Sequence, residues 1–80
     1  MSSGLPAGRF IVRLRAVQSG MLNLVGYGPK VQILEVVFNT GDHYRYFEVP
    51  ADEYDGLMSA ESIGQYMHKH ILGRYEFERL

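Results

Sequence analysis

The sequence contains no cysteine, so neither disulfide bonds nor thiolate metal sites can form. This absence is typical of proteins that fold in a reducing compartment. Long hydrophobic runs are also missing, and no stretch approaches the roughly 18 apolar residues of a membrane-spanning helix. We therefore expect a cytoplasmic protein with no membrane partner and no small-molecule cofactor.

Excess positive charge is lacking as well. The formal net charge of −1 argues against a protein that binds nucleic-acid backbones through a large net positive charge. The distribution is uneven, because residues 1–34 contain basic side chains and no acid. Such asymmetry is typical of a basic arm, but a chance arrangement of solvated charges gives the same pattern. The basic residues of this stretch are Arg9, Arg13, Arg15 and Lys30.

The length of 80 residues allows one domain, and the hydrophobic fraction of 46% is ordinary for a globular chain. The first residues are rich in serine, glycine and proline types that few contacts would order. We expect residues 1–16 to form a partly flexible extension, in which the alternation of Phe10, Val12 and Leu14 is a weak strand signal. Residues 17–80 are then the single domain.

The strongest local signal is a β-hairpin over residues 31–49. Two runs rich in β-forming residues flank Asn39-Thr40-Gly41, and Gly41 can adopt the left-handed conformation that a three-residue loop requires. Pairing of Phe38 with Asp42 fixes the register. One face then carries Leu34, Val36, Phe38, Tyr44 and Tyr46. The other face carries the pairs Glu35–Arg45, Val37–His43 and Ile33–Phe47. The first face is the more apolar and is predicted to form the core.

Two helices are expected after the hairpin. Pro50 suits the start of the first helix, and Ser62 with Gln65 makes a capping-box pattern at the start of the second, which Gly73 ends. The predicted core stripes are Tyr54, Leu57 and Met58, followed by Ile63, Tyr66, Met67, His70 and Ile71. The alternating tail from Tyr75 is expected to pack along the sheet. The predicted fold is α+β: a small antiparallel sheet of about three or four strands with both helices on one face.

No catalytic or metal-binding constellation is recognisable. There is no nucleophile-elbow motif, and Ser62 is explained as a helix cap. His68 and His70 lie two residues apart, which on a helix points them to different sides, whereas chelation favours a spacing of about four. We therefore predict that the protein is not an enzyme, that His68 is exposed and that His70 is a hydrogen-bonded core residue.

The Tyr44-Arg45-Tyr46 segment permits two interpretations. Two aromatic rings beside an arginine could stack unpaired bases while the guanidinium contacts phosphate. The hairpin register instead places both rings in the core, with Arg45 on the opposite face beside Glu35. Such a cross-strand charge pair is worth a few tenths of a kcal/mol, about 0.2–1 at most. The register favours core packing.

A family resemblance covers the chain from about Val17 to its end. It is carried by Ser19, Leu22, Val25-Gly26-Tyr27, Leu34-Glu35-Val36-Val37-Phe38, Gly41, Tyr44-Arg45-Tyr46, Val49-Pro50, Tyr54, Leu57, Ala60, Ser62, Gly64, Tyr66, Ile71 and Gly73-Arg74-Tyr75. In this order and spacing the chain resembles the KTSC domain, named for the C-terminal extension of some lysyl-tRNA synthetases and also found in short bacterial proteins. The resemblance implies RNA binding, with tRNA as the natural partner, and does not imply aminoacylation.

Two functions remain open. The first is an RNA-binding accessory domain, with Arg45, Lys69 and Arg74 contacting phosphates and Phe47 or Tyr75 stacking a base. The second is a protein-interaction module, in which an exposed apolar patch of Ile33, Val37 and Phe47 contacts a protein partner or a second copy of the chain.

Overall fold

The computed structural model describes residues 12–80, which form five strands and two helices. In chain order these are β1 (Arg15–Ala16), β2 (Leu22–Gly28), β3 (Ile33–Phe38), β4 (His43–Tyr46), α1 (Ala51–Ser59), α2 (Ile63–Tyr66) and β5 (Phe77–Arg79). A π-helical turn, Met67–Ile71, continues α2. The predicted contribution of Phe10 to a strand lies outside the described residues.

All the strands belong to one antiparallel sheet in the order β1-β2-β3-β4-β5. The α+β fold is confirmed, with one or two strands more than predicted. The additional strands are the short β1, which begins within the expected N-terminal extension, and β5. The latter is the alternating tail, which pairs with β4 so that Phe77 lies opposite Tyr46.

The central hairpin has the predicted register. Leu34 lies opposite Tyr46 and Val36 opposite Tyr44. The loop closes where it was expected to, because the Phe38 amide donates to the Asp42 carbonyl at 2.8 Å and Gly41 has a φ of 97°. The loop needs a residue with a positive φ at this position, and for that reason Gly41 indicated a hairpin in the sequence.

The core lies between this hairpin face and the helices. Leu34, Val36 and Tyr46 are buried there. The remaining core residues come from β2, the helices and their flanks: Leu22, Val25, Val49, Leu57, Met67 and Ile71. Phe38 and Tyr44 continue the same face but are only partly buried.

The opposite face buries charge. Arg45 donates from Nε and Nη2 to Glu35 Oε2 at 3.2 and 3.1 Å, and both residues are buried. His43 Nε2 lies 2.9 Å from the other carboxylate oxygen, and Arg45 Nη1 lies 3.6 Å from Glu78. The predicted cross-strand pair is confirmed, and the structure shows that it is buried. Breaking a buried pair by removing one partner costs about 3–5 kcal/mol.

The exposed patch expected on this face is not present. Ile33 is only 3% exposed, and Val37 and Phe47 are half-buried. The chain at Val12 covers part of this face, next to Ile33. A Cβ atom placed at Gly26, which pairs with Glu35, would lie 2.6 Å from a Val12 methyl group, and one at Gly28, which pairs with Ile33, would lie 3.6 Å from Val12. The weak alternation around Val12 did not indicate this contact.

Positive backbone angles shift several strand ends. β3 begins at Ile33 rather than residue 31 because Gln32 has a φ of 56°. β4 ends at Tyr46 because the chain turns at Glu48, where φ is 57°. As a result, Phe47 lies outside the β3–β4 ladder and does not pair with Ile33. β2 continues to Gly28, and the turn into β3 follows it.

The helices begin as predicted. Pro50 is the N-cap residue of α1, and Ser62 Oγ accepts from the Gln65 amide at 3.2 Å. The prediction for His70 was wrong, because its side chain is exposed. The amide of Leu72 bonds to the carbonyl of Met67, so the turn is wider than an α-helical one and His70 moves off the buried stripe.

Within residues 12–80, no helix has both the length and the apolar character to cross a membrane.

Candidate functional site

An open cleft of about 610 Å³ lies beside the junction of β4 and β5. It is lined by Phe47, Gly73, Arg74, Tyr75, Glu76 and Phe77. A smaller recess of about 400 Å³ adjoins it and is lined in addition by Glu48. We call this combined site the Phe47–Phe77 cleft. It brings together three of the residues predicted to bind RNA, namely Phe47, Arg74 and Tyr75.

Two left-handed residues shape this cleft. The turn at Glu48 releases Phe47 from the β3–β4 ladder, and the Phe47 amide instead donates to the Glu76 carbonyl at 2.9 Å. On the other side, Gly73 has a φ of 78° and turns the chain out of the π-helical turn. Phe77 follows on β5 and is 59% exposed. Phe77 was not among the predicted site residues. The alternation of the tail could have indicated that Phe77 lies on a strand beside β4.

Glu53 anchors the wall of the cleft. Its carboxylate accepts hydrogen bonds from the Tyr66 hydroxyl at 2.7 Å and the Tyr75 hydroxyl at 2.9 Å. The exposed His70 ring stacks on Tyr66 with centroids 4.2 Å apart. Sequence patterns do not reveal this role, because the two phenol partners of Glu53 lie 13 and 22 residues further along the chain. Glu53 therefore fixes Tyr75, and with it the segment that carries Arg74.

The phenols of this cluster are held in their neutral form. Burial, with the hydrogen bond to Glu53 adding to it, raises the pKa of Tyr66 to about 12 and that of Tyr75 to about 12. Both hydroxyls are therefore donors at neutral pH, which matches a carboxylate that only accepts.

The other predicted cationic contacts lie elsewhere. Arg45 is 9% exposed and is held by Glu35 and Glu78 on the opposite face of the sheet. Lys69 is exposed, but it lines a separate groove beside Ser62 and Tyr66. Arg45 is therefore buried in an ion pair away from the cleft, and a role in RNA binding for Arg45 or Lys69 stays a prediction.

The chemistry of the cleft is mainly aromatic. Among the described residues that line it, Phe47, Tyr75 and Phe77 supply rings, Arg74 supplies a guanidinium, and Glu48 and Glu76 supply carboxylates. Rings of this kind can stack a planar group, and arginine can contact an anion or stack on a ring.

Within residues 12–80, no group of three or more histidine, aspartate and glutamate side chains is arranged to hold a metal ion.

Comparison with known proteins decides the family. The family model of the KTSC domain matches residues 18–75, which is most of the chain. The chain belongs to the KTSC domain family. A crystal structure of a KTSC domain protein from Yersinia pestis superposes on this KTSC domain with a TM-score of 0.85 and 27% sequence identity, covering 88% of this chain and 99% of that one.

Relatives of this KTSC domain differ greatly in length. An uncharacterized protein of Stutzerimonas stutzeri is 43% identical over 54 residues, which span 68% of this chain and 76% of that protein. A lysine–tRNA ligase of Nostoc sp. is also 43% identical over 54 residues, but the match spans only 10% of the ligase. The KTSC domain is therefore similar both to a short protein and to a small part of a tRNA ligase.

Proposed function

We propose that this KTSC domain binds RNA through the Phe47–Phe77 cleft. The observation that carries the proposal is the convergence of Phe47, Tyr75 and Phe77 with Arg74 in one cleft. Proteins recognise unpaired RNA bases by stacking them on aromatic rings and on arginine. The similarity to part of a lysine–tRNA ligase supports RNA as the partner and makes tRNA the first ligand to test.

Stacking is expected to supply most of the affinity. A base stacked on an aromatic side chain contributes about 1–3 kcal/mol, and every base offers a face that can stack. Arg74 can pair with one phosphate, but Glu48 and Glu76 beside it repel others. The affinity should therefore fall with salt as expected for about one phosphate contact, much less steeply than for a basic protein.

Fluorescence anisotropy with a labelled octaribonucleotide and with mixed tRNA tests the proposal. The native domain should bind both at low salt, and Arg74→Gln should weaken binding several-fold. Lys30→Gln is the matched control, since Lys30 is an exposed cation in the β2–β3 turn outside the cleft. The same series with Lys69→Gln decides whether the neighbouring groove takes part. Absence of binding to either RNA at low salt would eliminate the proposal.

A protein-interaction function is the second candidate. It is favoured by β5, which lies at the edge of the sheet, begins at the exposed Phe77 and is followed by the 50% exposed Leu80. Edge strands offer unpaired backbone groups to a further strand. Such an interface should respond little to salt. Analytical ultracentrifugation discriminates the two functions: a dimer that Phe77→Glu converts to monomer favours this candidate, and a monomer at all concentrations removes its homomeric form.

A further inference from the structure

A second cleft lies near the β3–β4 loop, on the face of the sheet where Tyr44 contacts Phe77. It has a volume of about 420 Å³, with Met21, Phe38 and Tyr44 as its apolar lining and Asn39, Thr40 and Asp42 as its polar lining. We call it the Phe38–Tyr44 cleft. Its lining combines two aromatic rings and a methionine with amide, hydroxyl and carboxylate groups. That combination suits a planar ring with polar edges, such as a nucleobase.

Contacting rings connect the two clefts. The Phe38 and Tyr44 centroids are 5.4 Å apart, and the Tyr44 and Phe77 centroids are 5.5 Å apart, both in edge-to-face geometry. These three residues lie on the adjacent strands β3, β4 and β5, and we call them the aromatic row. One end of the row lines the Phe38–Tyr44 cleft and the other lines the Phe47–Phe77 cleft. The surface between the clefts is therefore continuous and aromatic.

The charges along this surface are isolated rather than continuous. Arg79 is the cross-strand neighbour of Tyr44 and donates to Asp42 Oδ1 at 2.8 Å, while the other Asp42 oxygen accepts from the Thr40 hydroxyl at 3.0 Å. At the far end, Arg74 lies beside Glu76. Two arginines at the two ends can each contact a phosphate. The carboxylates beside them, Asp42 and Glu76, prevent the surface from acting as a track for a duplex backbone.

A single strand fits this pattern better than a duplex. Duplex RNA hides the faces of its bases and presents closely spaced phosphates, so it offers nothing to the rings and is repelled by the carboxylates. A single strand can place successive bases on rings and direct its phosphates outward to arginines.

We infer that single-stranded RNA lies across β5, β4 and β3, with one base in the Phe47–Phe77 cleft and a later base in the Phe38–Tyr44 cleft. Duplex RNA is rejected. The inference rests on the proposed function and adds to it the strandedness of the ligand, its path and a second base site. It assigns binding roles to Phe38, Tyr44 and Arg79.

Backbone amide NMR titrations of the native domain test the path. The probes are uridine monophosphate, oligouridylates of two, four and eight nucleotides, and an eight-base-pair RNA duplex. The monophosphate should shift mainly amides of residues 47 and 73–77, because the Phe47–Phe77 cleft is the larger of the two. The longer strands should also shift Met21 and Thr40, which line the second cleft. Affinity should rise about tenfold once both clefts are spanned, and the duplex should bind at least about tenfold more weakly than the octamer.

A variant sharpens the assignment. Tyr44→Leu should weaken the octamer about tenfold and leave the monophosphate unchanged, because one stacking ring is lost from the second cleft only. The matched control is Val31→Ala, which shortens an apolar side chain that is 42% exposed in the β2–β3 turn. It should change neither affinity. The amide shifts of the native domain remain decisive even when Tyr44→Leu fails to fold.

Each contrary result has its own meaning. Octamer shifts confined to residues 47 and 73–77, or equal affinity for duplex and single strand, would overturn this inference and leave the proposed function standing. No shift with any RNA would overturn both. Without RNA, amide shifts at both clefts could also change with protein concentration. That result would assign the aromatic row to contact between two copies of the chain, and it would also overturn the inference.

Discussion

Two halves of the same sheet face differ in what covers them. In one half, Leu34, Val36 and Tyr46 are buried beneath the helices. In the other half the face remains apolar, yet Phe38 and Tyr44 are only partly covered and Phe77 is mostly exposed. The helices are short, nine residues in α1 and four in α2 with five more in its π-helical turn, and they do not cover the whole face. Apolar alternation therefore identifies a face, while helix length and position decide which part of it becomes core.

The largest effect is expected in the covered half. Leu34→Ala should lower the free energy of unfolding by about 2–5 kcal/mol, because it leaves a cavity in a fully packed site. Urea denaturation measures this value. The control is Val31→Ala, an exposed residue that should change stability by less than about 0.5 kcal/mol. A loss below about 1 kcal/mol for Leu34→Ala would contradict the division between the two halves.

An intermediate effect is expected at the boundary between the halves. Glu53→Gln should lower stability by about 2 kcal/mol, because two phenols lose a charged acceptor. Asp52→Asn controls for the helix dipole, since Asp52 occupies the same first turn of α1 but is exposed. Thermal unfolding of both variants provides the comparison. Equal losses would show that the phenol contacts do not anchor the cleft wall.

A smaller effect is expected from pH at the same boundary. Because folding raises the pKa of Tyr66 and Tyr75 from 10.0 to about 12, their contribution is complete below pH 10 and is lost as the pH rises toward 12. Urea denaturation at pH values across that window should show decreasing stability. In Tyr75→Phe the decrease should be shallower, since one of the phenols is absent. An unchanged pH dependence in this variant would argue against the raised pKa of Tyr75.

The covered half could be predicted because its information is local. Gly41 fixes the loop, the loop fixes the register, and the register places Leu34 opposite Tyr46 and Val36 opposite Tyr44. The errors arose where distant segments meet. Val12 lies against Gly26 on the outer face, and the wide turn before Leu72 removes His70 from the core stripe. The alternation around Val12 does not show where that segment lies, and the wide turn leaves no periodic pattern in the sequence.

The candidate site could be predicted only in part, for the same reason. Phe47, Arg74 and Tyr75 were chosen by residue type, and the structure brings them together through left-handed turns at Glu48 and Gly73. The register placed Arg45 beside Glu35 correctly, but residue type did not reveal that the pair is buried. The aromatic row escaped notice because Phe38, Tyr44 and Phe77 become neighbours only when β5 pairs with β4.

The most direct test of the account is the RNA affinity of Phe77→Leu, measured by anisotropy at a temperature where the variant is shown to be folded. Phe77 belongs to the open half and to both the cleft and the aromatic row. The substitution should change the free energy of unfolding by less than about 1 kcal/mol, yet weaken binding of an octaribonucleotide about tenfold. Native RNA affinity in a folded Phe77→Leu domain would contradict the claim that the uncovered aromatic half is the binding surface.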